Sequence, residues 1–189
     1  MNVLITGASG LLGSHLCEQF TQKGHKVFAL FRKLTKRSYL FNTKNHKNIV
    51  LIQSELDEFL KNNFTMPIDV VINCTACVSS SKEETARMKK INTDFVKELY
   101  QWCEKQNVSH FISLSSTACL GAGNFGEIVT ENSTSSSRPT AYSQSKLAAD
   151  IWLEKQNSVK WSIIYPGYML GKWDSKPSSG AIFFALKMK

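Results

Sequence analysis

The most constraining feature of this chain is a rhythm. Short, uninterrupted apolar runs alternate with longer amphipathic stretches along almost its whole length. Residues 2–6 (NVLIT), 26–31 (KVFALF), 48–52, 69–73 (DVVIN), 110–114 and 160–165 (KWSIIY) read as six strands. Residues 11–23, stopped by Gly24, 55–62, 83–106 and 141–156 read as helices, and 181–188 as a short apolar one. The third of these places Met88, Ile91, Phe95, Leu99 and Trp102 on its apolar positions. A strand that is apolar on both sides needs cover on both faces, which points to parallel βαβ units. Right-handed crossovers wind such units into a doubly wound parallel sheet, so the expected fold class is α/β. Residues 121–139, rich in Gly, Ser, Thr and Asn, read as a loop.

At 189 residues, 42% hydrophobic and 20% charged, the chain has the size and makeup of one globular domain. It lacks an apolar stretch near the 20 residues that a membrane span needs, and a basic-then-apolar leader. The expectation is a cytoplasmic protein with no membrane partner. The five cysteines (Cys17, Cys74, Cys77, Cys103 and Cys119) are odd in number and irregular in spacing, which suits reduced thiols. Cys74 and Cys77 form a single C-x-x-C with no second pair, so no metal site is expected.

The first strand runs into a loop with Gly7, Gly10 and Gly13 three apart, and a helix follows at once. Gly7 suits the tight turn, Gly10 lets backbone approach a pyrophosphate, and Gly13 lets helix pack on strand. The free N–H groups at the helix start favour phosphate. Charge is equally local. The formal balance is +8, and residues 1–50 hold eight basic side chains against the single acid Glu18. Arg32 and Lys33 close the second strand, with Lys36, Arg37 and Ser38 beyond. An acid there would bind the ribose 2′-hydroxyl of NAD, whereas a guanidinium suits a 2′-phosphate. NADP(H) is therefore expected in preference to NAD(H). Phe28, Phe31, Tyr39 and Phe41 interleave with these charges, but no nucleic-acid-binding motif accompanies them, and no nucleic-acid partner is expected.

Tyr142 and Lys146 stand four apart at the start of a predicted helix and so share a face. A cation near a phenol favours the phenolate, and a tuned phenol can give or take a proton. Ser115, Ser116 and Thr117 end the fifth strand at the carboxyl edge of the sheet, where open α/β folds bind ligands.

Together these residues resemble the short-chain dehydrogenase/reductase superfamily in its extended form, the NAD-dependent epimerase/dehydratase group. The likeness rests on residues 6–13 (TGASGLLG), 73–76 (NCTA), Asn92, residues 115–117 (SST), Tyr142 with Lys146, and residues 165–167 (YPG). The resemblance implies a Rossmann fold over 1–189, with cofactor-binding positions at Gly7, Ser9, Gly10, Leu11, Leu12, Gly13, Arg32, Lys33, Glu55, Leu56, Ala76, Tyr165, Pro166 and Gly167. It implies Tyr142 as the proton donor or acceptor and Lys146 as the residue that holds the nicotinamide ribose. Ser116 would position the substrate oxygen, with Thr117 as the neighbouring option. In three places the chain departs from the family pattern: Glu55-Leu56 replaces Asp-Leu, residues 73–76 replace His-x-Ala-Ala, and Leu120-Gly121 replaces Tyr-Gly. Family members run to about 300 residues, so a C-terminal substrate domain is expected to be largely absent, with its start at 168–189.

The function this implies is an NADP(H)-dependent oxidoreductase that transfers hydride to the carbonyl of a small-molecule or carrier-bound substrate. Residues 166–180 and 76–79 look like those of thioester and fatty-acyl reductases. The alternatives are a sugar-nucleotide epimerase or dehydratase, and a non-catalytic dinucleotide-binding module or inactive truncated relative. The helices at 83–106 and 141–156 suit a homodimer bundle as well as packing within one chain, with Trp102, Trp152 and Leu153 available to either.

Overall fold

A computed structural model describes residues 1–33, 40–62, 64–79, 81–121, 123, 125–133, 140–172 and 174. Among these residues, six strands form one sheet in which every pairing is parallel. They are β1 (Asn2–Thr6), β2 (Lys26–Phe31), β3 (Ile49–Gln53), β4 (Val70–Asn73), β5 (His110–Leu114) and β6 (Lys160–Ile164), in the order β3-β2-β1-β4-β5-β6. The chain steps outward from β1 to β3, then returns across the sheet to lay β4 against β1. That reversal opens a crevice at the carboxyl ends of the two central strands, where Thr6 lies opposite Asn73.

Two apolar layers cover the sheet, which explains the uninterrupted apolar strands. On one face Leu4, Phe28, Val71 and Phe111 pack with Leu99, Tyr100, Ala149 and Leu153. On the other, Val3, Ile5, Val27, Ala29 and Ile72 pack with Cys17 and Leu40. Adjacent residues of one strand thus serve opposite layers, as the pleat requires. The helices involved are α1 (Leu11–Gln22), α2 (Leu40–Thr43), α3 (Leu56–Lys61), α4 (Thr85–Lys89), α5 (Phe95–Lys105) and α6 (Ala141–Leu153). The Tyr100 hydroxyl donates to the Val159 carbonyl at 3.0 Å and accepts from the Val159 N–H at 2.9 Å, tying α5 to the chain entering β6.

One expected element differs. The single helix read over 83–106 is a 3-10 turn (Lys82–Glu84), α4, a π-helical segment (Lys90–Asp94) and α5 in succession. The π segment buries Asn92 and Thr93, whose polar side chains are bonded to neighbouring elements.

Trp102 and Leu153 belong to the chain's own core, at 5% and 0% exposure. Trp152 is half-buried, edge-on to Tyr100 at 5.7 Å. The large apolar side chain that α6 leaves to solvent is Ile151. No helix among the described residues is long and apolar enough to cross a membrane. None of the five cysteines, all described, is in a disulfide. Within the expected loop, residues 121, 123 and 125–133 carry neither helix nor strand. The helix expected at 181–188, together with Lys36, Arg37, Ser38 and Tyr39, lies outside the described residues, as does the side chain of Phe41.

Candidate active site

A groove of about 950 Å3 runs along the carboxyl edge of β1, β2 and β4. Its floor is the glycine loop. Gly7 has φ +64°, and a Cβ there would stand 2.8 Å from the carbonyl carbon and oxygen of Cys74 and 2.9 Å from the Thr75 nitrogen. A Cβ on Gly13 would run into the Gly7 carbonyl oxygen. Two glycines therefore let the β1–α1 turn, the start of α1 and the end of β4 close on one another. Gly10 caps α1 without a side-chain bond, and the first turn of α1 carries no acid. The positive end of the helix dipole and its free N–H groups are thus available to an anion. Thr75 and Thr6 bind each other through their hydroxyls at 2.9 Å, and the Thr6 hydroxyl donates to Asn73 Oδ1 at 2.6 Å. These bonds fix the seam between β1 and β4 beneath the groove.

Of the expected cofactor positions, Gly7, Ser9, Gly10, Leu11, Arg32, Lys33, Glu55, Leu56 and Ala76 line this groove. Leu12 instead packs against the apolar layer with Cys17 and Leu40. Gly13 works behind the loop rather than at its surface. Tyr142, Lys146, Tyr165, Pro166 and Gly167 are not part of the groove wall. A Cβ on Gly167 would meet nothing within 4 Å, so no close approach explains that glycine. Met169 and Asp174 also line the groove, and no motif marks them in advance. The segment after β6 doubles back over the start of α1: a Cβ on Gly171 would lie 3.5 Å from Leu11 Cδ1.

Beyond the groove lies a second cluster. Thr140 caps α6, its hydroxyl accepting from the Ser143 N–H at 3.1 Å. This cap starts the helix so that the Tyr142 phenol comes within reach of the Ser116 hydroxyl. The Ser116 hydroxyl also accepts from the Ala118 N–H at 3.2 Å, which orients it. The Thr117 side chain is exposed, and its N–H donates to the Pro166 carbonyl at 3.1 Å, docking the chain after β6 beside Ser116. Lys146 is buried at 3% exposure and its Nζ donates to the Leu114 carbonyl at 2.7 Å.

Residues 3–187 match the NAD dependent epimerase/dehydratase family. The chain belongs to that family. Among curated proteins it is 31% identical, over 126 residues, to a decarboxylating sterol-4-alpha-carboxylate 3-dehydrogenase of Dictyostelium discoideum, covering 65% of this chain and 37% of that one. It is 26% identical to an ADP-L-glycero-D-manno-heptose-6-epimerase of Fusobacterium nucleatum, covering 82% of this chain and 48% of that one. Solved structures of the same fold include the UDP-glucuronic acid 4-epimerase of Bacillus cereus, with TM-score 0.79, 19% identity, all of this chain and 64% of that one. Another is a thiolation-reductase di-domain from an archaeal non-ribosomal peptide synthetase, with TM-score 0.75, 21% identity, 99% of this chain and 58% of that one. The chain spans about half the length or less of these curated relatives.

Membership of this family accounts for the Rossmann-like sheet and for a groove suited to a nicotinamide dinucleotide. The electrostatics of the site are the chain's own. Burial pushes the Tyr142 phenol above its usual value; the Ser116 hydroxyl works against this, and Cys119 and Asp150 add to it. The sequence leads one to expect a phenol lowered by Lys146; the influences on Tyr142 are instead burial, Ser116, Cys119 and Asp150. Cys74, at the end of β4, is pushed up to about 12 by burial, with the Lys146 charge pulling it back. Its thiol is therefore protonated at neutral pH and inert as a nucleophile. Lys146 thus lies close enough to act on a residue of the groove wall, which links the two clusters.

Three residues have roles that sequence reasoning does not assign; Asn92 and Ser115 belong to the family likeness, and no motif singles out Asp150. Asn92 accepts from the Cys77 N–H at 2.8 Å and donates to the Cys77 carbonyl at 2.8 Å and the Ser145 hydroxyl at 3.0 Å, joining the loop after β4 to α6. Ser115 donates to Asp150 Oδ2 at 2.5 Å. Asp150 itself, 2% exposed, is an acid inside α6's packed face. Its signal in the sequence is its place four residues beyond Lys146. Among the described residues no group of His, Cys, Asp and Glu is arranged to hold a metal ion.

Proposed function

We propose that this chain is the cofactor-binding and proton-relaying part of an NADP(H)-dependent oxidoreductase that interconverts a carbonyl and an alcohol. The observation that carries this reading is the placement of the Tyr142 phenol beside the Ser116 hydroxyl, near enough for the serine to act on it, at the carboxyl edge of the sheet next to the groove. Two hydroxyls side by side at that edge can share one substrate oxygen. Ser116 holds the oxygen, and Tyr142 delivers or removes its proton. The neutral phenol carries the proton that reduction of a carbonyl consumes. The α1 N-terminus and the glycine cradle would hold the pyrophosphate, and Arg32 and Lys33 the 2′-phosphate, by charge-assisted bonds. Glu55 and Leu56 would flank the adenine, and Lys146 the nicotinamide ribose. The cofactor's part is to carry the hydride.

The proposed substrate is a small-molecule or carrier-bound carbonyl compound. The likeness of fold to a thiolation-reductase di-domain supports the carrier-bound form. A sugar-nucleotide epimerase is the second reading, favoured by the heptose-epimerase relative that matches 82% of this chain. A dinucleotide-binding module without catalysis is the third.

One series of measurements separates them. Fluorescence titration of the 189-residue chain is expected to give NADPH binding at least about tenfold tighter than NADH, about 1.4 kcal/mol. Tyr142→Phe is expected to abolish hydride transfer to a carbonyl probe while cofactor affinity stays within about twofold. Equal binding of the two cofactors removes the role given to Arg32. Hydride transfer that survives in Tyr142→Phe removes the role given to Tyr142. Cofactor binding with no transfer to any carbonyl leaves the third reading, and interconversion of sugar nucleotides with bound NAD establishes the second.

A further inference from the structure

Helix α6 carries Tyr142, Lys146 and Asp150 on one stripe, each a turn from the next. The first two have a role in the function proposed above; the third has none yet. Asp150 is 2% exposed and Lys146 3%. Opposite charges buried a turn apart are strongly coupled, and removing one leaves the other uncompensated. Each also has a fixed partner on the end of β5. Lys146 Nζ donates to the Leu114 carbonyl at 2.7 Å, and the Ser115 hydroxyl donates to Asp150 Oδ2 at 2.5 Å. Consecutive residues of the strand end therefore pin two consecutive turns of the helix.

We propose that Asp150 is a positioning residue: its carboxylate, fixed by Ser115, is the buried counter-charge that keeps Lys146 an ammonium against the Leu114 carbonyl, one turn from Tyr142. This rests on the reading of Lys146 and Tyr142 given above. The titratable groups around Asp150 come from three directions. Lys146 and Tyr142 share its helix and Glu154 caps that helix, Cys119 follows β5, and Tyr165 follows β6. Burial pushes the Asp150 carboxyl up to about 6, while the Ser115 bond and the Lys146 charge pull it down and Glu154 adds to the rise. Burial pushes Lys146 down, and Asp150, followed by Cys119 and Cys74, pulls it back. The carboxylate is thus ionised at neutral pH and lost as pH falls through about 6.

The test follows protons and needs neither substrate nor cofactor. Lysine-selective and aspartate-selective 13C labelling of the full chain, with Lys146→Met and Asp150→Asn to assign the signals, gives both titrations. In Asp150→Asn, Lys146 is expected to titrate lower by about one pH unit or more. In Ser115→Ala, the Asp150 titration is expected to move upward with the far-UV circular dichroism unchanged. Lys146 titrating at the same pH with and without the Asp150 carboxylate overturns the proposal. If Asp150→Asn does not fold, Ser115→Ala decides: an Asp150 titration that rises supports the proposal, and one that stays put overturns it. A chain that transfers no hydride yet shows the coupling refutes the proposed function and leaves this inference standing.

Discussion

A single methyl group at position 7 has nowhere to go. The backbone there sits at φ +64°, and the Cys74 carbonyl and Thr75 nitrogen lie under 3 Å from where a Cβ would be. In Gly7→Ala, left-handed strain of about 1–3 kcal/mol adds to the clash. The expected outcome is a lowered melting temperature and a cofactor affinity reduced by about tenfold or more, checked by thermal denaturation and NADPH titration. The glycine spacing made this residue legible, because the sequence pattern and the steric requirement are the same fact. Asp150 was not legible for the opposite reason. The Tyr142–Lys146 pair is found by asking what shares a helical face, and the same question one turn further reaches Asp150. Nothing in composition says that this acid is buried; only the packing of α6 on β5 does.

Among the elements, the strands were the most readable. Apolar runs define them because the four inner strands are covered on both faces; the edge strands β3 and β6 are only partly buried but keep the same apolar pattern, and all six fall within a residue of the expected bounds. The long helix was misread because its apolar stripe is continuous in sequence, whereas a π turn depends on where polar side chains find partners. Asn92 makes three hydrogen bonds from within that turn, and Thr93 donates to the Ser145 carbonyl at 2.7 Å. Asn92→Ala strands the Cys77 N–H and carbonyl in a half-buried place. A loss of about 2–4 kcal/mol in unfolding free energy is expected, from the usual penalty per unsatisfied buried group. Urea denaturation measures it. A loss under about 0.5 kcal/mol means that the π turn stands without this residue.

On the scale of the molecule, charge is distributed by half. The first 50 residues carry eight basic side chains and one acid, and they build β1, α1, β2, α2 and the start of β3. Arg32 and Lys33 stand at the carboxyl edge of that half, on the groove. Raising ionic strength shortens the reach of charge from about 10 Å at 0.1 M to about 3 Å at 1 M. NADPH affinity is therefore expected to fall several-fold more steeply with salt than NADH affinity, in paired titrations across that range. Parallel slopes mean that the extra phosphate meets no concentrated positive charge. The π turn has a consequence at this scale too. It works as a one-residue insertion that sets the phase between α4 and α5. Removing one codon from 90–94 would restore a regular helix and turn everything before it by about 100° relative to α5, with a slide of about 1.5 Å. Asn92 would swing off Cys77, and the loop from β4 would lose its tether. A frame-preserving deletion that looks mild on paper would uncouple the groove from the helix that carries Tyr142.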